Sequence, residues 1–431
     1  MLVLGGLANK MEYFKGKSHE ELVMYQNELK QKLEKFKGMG LNLNMARGKP
    51  CKEQLDLSNA MIDGSIDFSI NIDYRNYGLL DGIPEAKKLF AESMNVLEEE
   101  LIIGGNSSLN LMYDTLVRAM LFGTVDSIKP WSQYEKIKFI CPSPGYDRHF
   151  GICEDLGIEM IMVPMTDDGP DMDRVEELVQ SDETIKGIWC IPKYSNPTGI
   201  TYSDEVVDRL ASMKCAANDF RIMWDNAYNI HHLNNNGDEL KDLLIACKKT
   251  NNSNRVYMYS STSKVTFPGS GIAVMAMSKE NADDVRKHMG YQTIGSNKIN
   301  QLMHVRFLPT ADAIEAHMMK HAEILEPKFD KVLEVLEREI GGLNIAKWNN
   351  PNGGYFINLD VMEGCAKEVV ACCLSHGVTL TPAGATFPYG KDPRDTNIRI
   401  APTFPPLEEL ELAIEVLATC IQYVAIHKIL A

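Results

Sequence analysis

The chain is expected to be an α/β protein, with a large domain built on a mostly parallel sheet and a smaller α/β domain beside it. Three observations lead there. Short apolar runs alternate with longer amphipathic stretches through the middle of the chain. Its 431 residues exceed what one hydrophobic core usually holds. The polar motifs around Asn196, Asp225 and Lys264 each follow directly on an apolar run, and open α/β sheets bind ligands outside the carboxyl ends of their strands.

Taken in order, Ser18-His19-Glu20-Glu21 has the form of a capping box and opens a helix that stops at Gly38, where a C-terminal glycine cap is expected. The runs 137–141, 158–163, 185–191, 221–224, 256–259 and 271–277 are strand candidates, and 204–213 is an amphipathic helix among them. From about residue 314 a long helical pattern leads into a strand at 354–359, a helix at 366–376 and the stretch 378–388. A strand at 398–401 and a final helix from Leu407 complete the chain. The expected boundaries are an N-terminal arm with part of the small domain over 1–58, a large ligand-binding domain over 59–313 and a small domain over 314–431. No internal repeat or low-complexity tract interrupts this order.

A formal net charge of −15 disfavours nucleic acid and anionic membranes, whose phosphates repel an acidic protein. Ten cysteines lack C-x-x-C or Cys/His ligand spacing, so buried free thiols and no metal are expected, and Cys372-Cys373 falls on an apolar helix face. The apolar opening at 2–7 is too short for a signal peptide, and no later segment approaches a membrane span. A cytoplasmic protein without membrane or nucleic-acid partners is the expectation.

The chemistry concentrates in Tyr257-Met258-Tyr259-Ser260-Ser261-Thr262-Ser263-Lys264, Asp225-Asn226-Ala227-Tyr228 and Asn196-Pro197-Thr198-Gly199. Together these read as a pyridoxal phosphate site. An amine must hold the cofactor aldehyde as a Schiff base, and a carboxylate must keep the pyridine nitrogen protonated so that the ring absorbs a carbanion's electrons. Lys264 and Asp225 are the candidates. Asn106-Ser107-Ser108 follows a glycine pair and precedes the helical pattern Leu109, Met112, Leu116. Small residues at a helix N-terminus offer N–H donors, hydroxyls and a favourable dipole to a phosphate.

On these motifs, with Met45-Ala46-Arg47-Gly48-Lys49-Pro50 and Ser261-Thr262-Ser263-Lys264-Val265-Thr266, the chain resembles the fold-type I pyridoxal phosphate enzymes of the class I aminotransferase group. Within that group it resembles a divergent bacterial aspartate aminotransferase subgroup, over a match from about Arg47 to Thr403. The resemblance implies that Lys264 forms the Schiff base and carries a proton, and that Asp225 pairs with the pyridinium. Tyr228 and Asn196 would bond the cofactor's phenolic oxygen. Asn106, Ser107, Ser108 and Ser261 would hold the phosphate, and Tyr146 would stack on the ring. Tyr77 would reach the phosphate of a neighbouring subunit, which implies a homodimer with shared active sites. Arg399 would grip the substrate α-carboxylate by its guanidinium fork, with Gly48 letting backbone approach the same group.

The pattern breaks in two places. Phe267-Pro268-Gly269-Ser270-Gly271-Ile272 lacks the arginine that grips the phosphate in many relatives, and Lys298 is a conjectural substitute. The distal carboxylate of a dicarboxylic substrate has no evident arginine either, and Arg47 or Lys193 could supply the cation. The expected reaction is ping-pong transfer of an amino group from an amino acid, L-aspartate by resemblance, to a 2-oxo acid, 2-oxoglutarate. Two other readings stand beside it. One is a lyase or decarboxylase on the same scaffold, because fold and lysine alone do not choose which α-carbon bond breaks. The other is a non-catalytic ligand-sensing regulator, against which stand the acidic charge and the roughly forty-five residues before Arg47, short for a DNA-binding module.

Overall fold

A computed structural model describes residues 14, 16–63 and 72–431, so the apolar opening at 2–7 lies outside the described residues. Its centre is an eight-stranded sheet. The strands, numbered along the chain after β1 (Leu43–Asn44), are β2 (Leu101–Ile103), β3 (Lys138–Ser143), β4 (Glu159–Thr166), β5 (Gly169–Pro170), β6 (Ile185–Cys190), β7 (Arg221–Asp225), β8 (Val256–Ser261) and β9 (Ala273–Met277). Their spatial order is β2-β9-β8-β7-β6-β3-β4-β5. β8, β7, β6, β3 and β4 run parallel, and β9 pairs antiparallel with both β2 and β8.

The central strands read as unbroken apolar runs because both faces of the sheet are covered. Ile188, Ile222, Met258 and Val274 enter one core, while their chain neighbours Trp189, Met223, Tyr257 and Met275 enter another. The apolar runs of the sequence thus became β3, β4 and β6 to β9, with ends shifted by a few residues. β2 was not anticipated. At three residues it is too short to show a period.

A second sheet joins β10 (Ala346–Trp348), β11 (Ile357–Val361) and β13 (Asn397–Ile400) in antiparallel order. β1 pairs in parallel with β12 (Val378–Thr379), which ties the N-terminal segment to the C-terminal one. The helices His19–Gly38, Ala311–Ile340 and Leu407–Leu430 close one hydrophobic core over these strands.

Three expectations need correction. The capping box at Ser18 and Glu21 is present, but Gly38 is helical and the left-handed glycine is Gly40, with φ +61°. Strand β11 starts at Ile357, because Gly354 at φ +83° turns the chain and donates its N–H to His231 O. The helix Leu407–Leu430, with mean hydropathy 1.4 over its most apolar window, does reach the length and composition of a membrane span. It reads so because it is a core helix, with 67% of that window buried in the fold.

Candidate active site

The carboxyl ends of four neighbouring parallel strands deliver the polar motifs to one place, as parallel strand polarity dictates. Tyr146 follows β3, Asn196 follows β6, Asp225 ends β7, and Lys264 lies three residues beyond β8. The register pairs Asp225 with Tyr259, so the carboxylate adjoins the strand that leads to the lysine.

Lys264 Nζ lies 5.0 Å from the ring centre of Tyr228 and 5.6 Å from that of Tyr355, whose two rings stack 6.0 Å apart. Desolvation lowers the pKa of this amine below that of an ordinary lysine, and the Asp225 charge opposes the shift. Burial raises the Tyr228 phenol well above its usual range and pushes Tyr146 up to about 12. Tyr146, Asp225, Arg399 and Tyr355 all lie within electrostatic reach of Tyr228, which places it at the middle of the cluster.

Asp225 is buried, with Oδ2 bonded to His149 Nε2 at 2.9 Å and Oδ1 without a partner among the described residues. His149 in turn stacks on Trp189, with ring centres 4.2 Å apart, and meets the edge of Tyr146 at 5.0 Å. A buried carboxylate oxygen left unpaired is costly, so this one is suited to a proton-bearing ligand atom. His149 was not singled out in the sequence. The available signal was its place three residues after Tyr146, across the first turn of the helix Asp147–Asp155.

Ser107 is the N-cap of the helix Ser108–Phe122, yet its side chain makes no capping bond. The hydroxyl is therefore unspent at the positive end of a 15-residue helix. Asn106 anchors this corner by donating Nδ2 to Pro268 O at 3.3 Å. Ser261 Oγ donates to Ser263 Oγ at 3.0 Å, and that hydroxyl donates to Asn106 O at 3.5 Å. Desolvated amine, half-paired carboxylate and uncapped helix end together suit pyridoxal phosphate at its aldehyde, ring nitrogen and phosphate.

On the opposite side stands Arg399 of β13, buried and 4.8 Å from the centre of the Phe356 ring. Its Nη1 donates to Asn196 Oδ1 at 3.2 Å and to Asp147 Oδ1 at 3.1 Å, and its Nη2 to Thr381 Oγ1 at 3.3 Å. Nε has no partner. Gly48 supports this group sterically, since a Cβ there would stand 2.5 Å from Phe356 Cζ. Thr381, Phe356, Asp147 and Tyr355 were missed, because nothing in their local sequence marks them.

Among the described residues, no side-chain hydrogen bond or ion pair joins four of the candidates, Tyr77, Arg47, Lys193 and Lys298, to this cluster. Tyr77 is 83% exposed, and its backbone N–H bonds only Asn76 Oδ1. Arg47 is exposed and has no ion-pair partner among the described residues. Lys193, one choice for the distal carboxylate, turns elsewhere: its amine lies 5.7 Å from the Tyr194 ring centre and lines a cavity with His232 and Asp238. Lys298 begins the helix Lys298–Phe307, half-buried and without an ion pair among the described residues. All ten cysteines are free thiols, eight of them buried. Cys372, His376 and Cys420 bring possible ligand atoms within 4.8 Å of one another. His376 Nδ1, however, donates to Cys372 O at 2.7 Å, which commits that nitrogen as a donor.

Residues 17–431 match the family described as Aspartate amino-transferase. A protein of Mycolicibacterium smegmatis named as an aminotransferase is 47% identical over 415 residues, covering 95% of this chain and 97% of its own. An aspartate aminotransferase of Corynebacterium glutamicum is 44% identical over 406 residues, covering 93% and 94%. The crystal structure of an aspartate transaminase from that organism superimposes with a TM-score of 0.93 at 42% identity, over 97% of this chain and 99% of its own. The fold alone extends to an α-aminoadipate aminotransferase of Thermus thermophilus, complexed with N-(5'-phosphopyridoxyl)-L-leucine. That likeness has a TM-score of 0.71 at 19% identity, over 92% and 95%.

Proposed function

Because the chain belongs to the aspartate aminotransferase family and is a pyridoxal phosphate-dependent aminotransferase, we propose that it moves the amino group of L-aspartate to 2-oxoglutarate in two half-reactions at one site. The observation that carries the site assignment is Asp225, buried and held by His149 on one oxygen only. The bound cofactor supplies the electron sink for the substrate α-carbon.

This chain's residues do the rest. Lys264 holds the cofactor aldehyde and then moves a proton at Nζ. Its desolvated amine loses its proton at lower pH than an exposed lysine, which favours the proton-accepting form. Asp225 keeps a negative charge against the ring nitrogen, and His149 fixes its direction. Tyr228 and Asn196 serve the phenolic oxygen, and Tyr146 covers the ring face. Asn106, Ser107, Ser108 and Ser261 take the phosphate, and Tyr77 completes a second copy's site in a homodimer. Arg399 orients the α-carbon by its carboxylate, next to Gly48. Arg47 is the cation left for a distal carboxylate. Aspartate as donor is supported by the 44% identical relative of that name.

The test is an absorbance spectrum of the purified protein with added cofactor. A Lys264-dependent visible band that bleaches with L-aspartate and returns with 2-oxoglutarate is expected. A band that ignores aspartate would remove the donor assignment, and no Lys264-dependent band would remove the site assignment.

A further inference from the structure

Arg399 is poised for a carboxylate, and a carboxylate of the protein is already on it. Asp147, the first residue of the helix Asp147–Asp155, places Oδ1 3.1 Å from Arg399 Nη1. The two sit 252 residues apart in the chain, so the pairing is made by the fold. Their exposures are unequal: 8% for the Arg399 side chain and 37% for Asp147. A guanidinium that deeply buried needs an anion beside it, and Asp147 supplies one. Asp147 itself has water on one side and the positive end of its own helix behind it, so it is not committed to the pair.

We infer that Asp147 is a built-in competitor for the substrate α-carboxylate, and that it sets how tightly this site holds any carboxylate. The inference rests on the reading of Arg399 as the α-carboxylate site. The other neighbours of the guanidinium, Asn196 Oδ1, Thr381 Oγ1 and the Phe356 ring, are uncharged and do not compete as anions. An incoming carboxylate either displaces Asp147 into solvent or shares Arg399 with a like charge a few ångströms away. Either way part of the attraction is lost. The loss is the same in the ground state and the transition state, because the carboxylate stays on Arg399 throughout. Asp147 therefore raises KM and leaves kcat unchanged.

The test titrates the holoenzyme calorimetrically with succinate, a dicarboxylate that carries no amino or oxo group to react, alongside steady-state kinetics with L-aspartate. Asp147→Asn and Asp147→Ser are each expected to bind succinate about fivefold more tightly, the weight of a partly exposed ion pair. KM for L-aspartate should fall by a similar factor at constant kcat. Unchanged or weaker succinate binding in both variants overturns the competitor role. Arg399→Gln separates the two readings. If it loses succinate affinity while the Asp147 variants do not gain any, the competitor role alone is wrong; if Arg399→Gln binds succinate like the unaltered protein, the carboxylate site itself lies elsewhere.

Discussion

Two buried aspartates stand at opposite ends of the same strand, and they are finished differently. Asp219, just before β7, and Asp225, at its end, are each only 3% exposed. Asp219 is closed on both oxygens. Lys186 Nζ donates to Oδ1 at 2.7 Å, while Ser127 Oγ and Trp131 Nε1 donate to Oδ2 at 2.7 and 2.9 Å. Asp225 has His149 on Oδ2 and nothing on Oδ1. Equal burial thus accompanies opposite bonding, and only the incomplete carboxylate lies where the carboxyl ends of the strands converge. Bonding capacity left over distinguishes a site from a structural ion pair better than burial does.

The comparison breaks most sharply by removing each carboxylate. Lys264→Ala and Asp225→Ala should each lower transamination by about 10³-fold or more, since one removes the proton carrier and the other the charge opposite the ring nitrogen. Their denaturant midpoints should hold or rise, because Asp225 is incompletely bonded. Asp219→Ala should do the reverse. It strands the Lys186 ammonium in the interior and should cost about 3–5 kcal/mol, with turnover per folded molecule preserved. Urea unfolding and turnover measured on the same three variants decide the matter. If Asp219→Ala loses turnover but not stability, the distinction drawn from bonding is wrong.

A third buried polar group tests whether complete bonding always means constant stability. His321 Nδ1 meets Gln54 Nε2 at 3.0 Å and its Nε2 meets His317 at 3.2 Å, while Gln54 Nε2 also donates to Tyr355 Oη at 3.0 Å. Burial, reinforced by His317, depresses the His321 pKa from 6.5 to about 4. Below pH 6.5 the unfolded chain takes up a proton that the folded chain refuses. Stability therefore falls as pH drops from about 6.5 to about 4, by up to about 3 kcal/mol, and levels off below. His321→Gln should reduce that slope in urea midpoints measured against pH, leaving the part due to His317, His231, His232 and His304, whose pKa values burial lowers in the same direction. An unaltered slope in His321→Gln would assign the acid sensitivity to other groups.

The parts of this arrangement legible in the sequence are those carried by contiguous residues. Lys264, Asp225 and Asn196 announce themselves because each follows an apolar run that parallel-sheet geometry turns into a strand ending at the site. The large sheet was legible for the same reason, apart from β2, whose three residues carry no period. What stayed hidden was made by packing across long separations. His149 meets Asp225 across 76 residues, and Arg399 meets Asp147 across 252. Tyr355 reaches Lys264 only because Gly353 and Gly354 turn the chain beside Tyr194 and His231 ahead of β11. Lys193 misled for the converse reason: closeness to Asn196 in the chain does not fix the direction of a side chain around a turn.

The smallest expected effect makes Asp225 even less complete. His149→Phe keeps an aromatic ring on Trp189 and removes the hydrogen bond to Oδ2, so the core should stay filled while the carboxylate loses its only partner. The carboxylate is then free to rotate, and cofactor affinity should weaken by about tenfold, the worth of one charge-assisted hydrogen bond. Cofactor release on dialysis, followed by absorbance, checks the size of the change. Affinity as tight as in the unaltered protein would mean that Asp225 needs no second residue to hold its direction, and that its free oxygen alone separates it from Asp219.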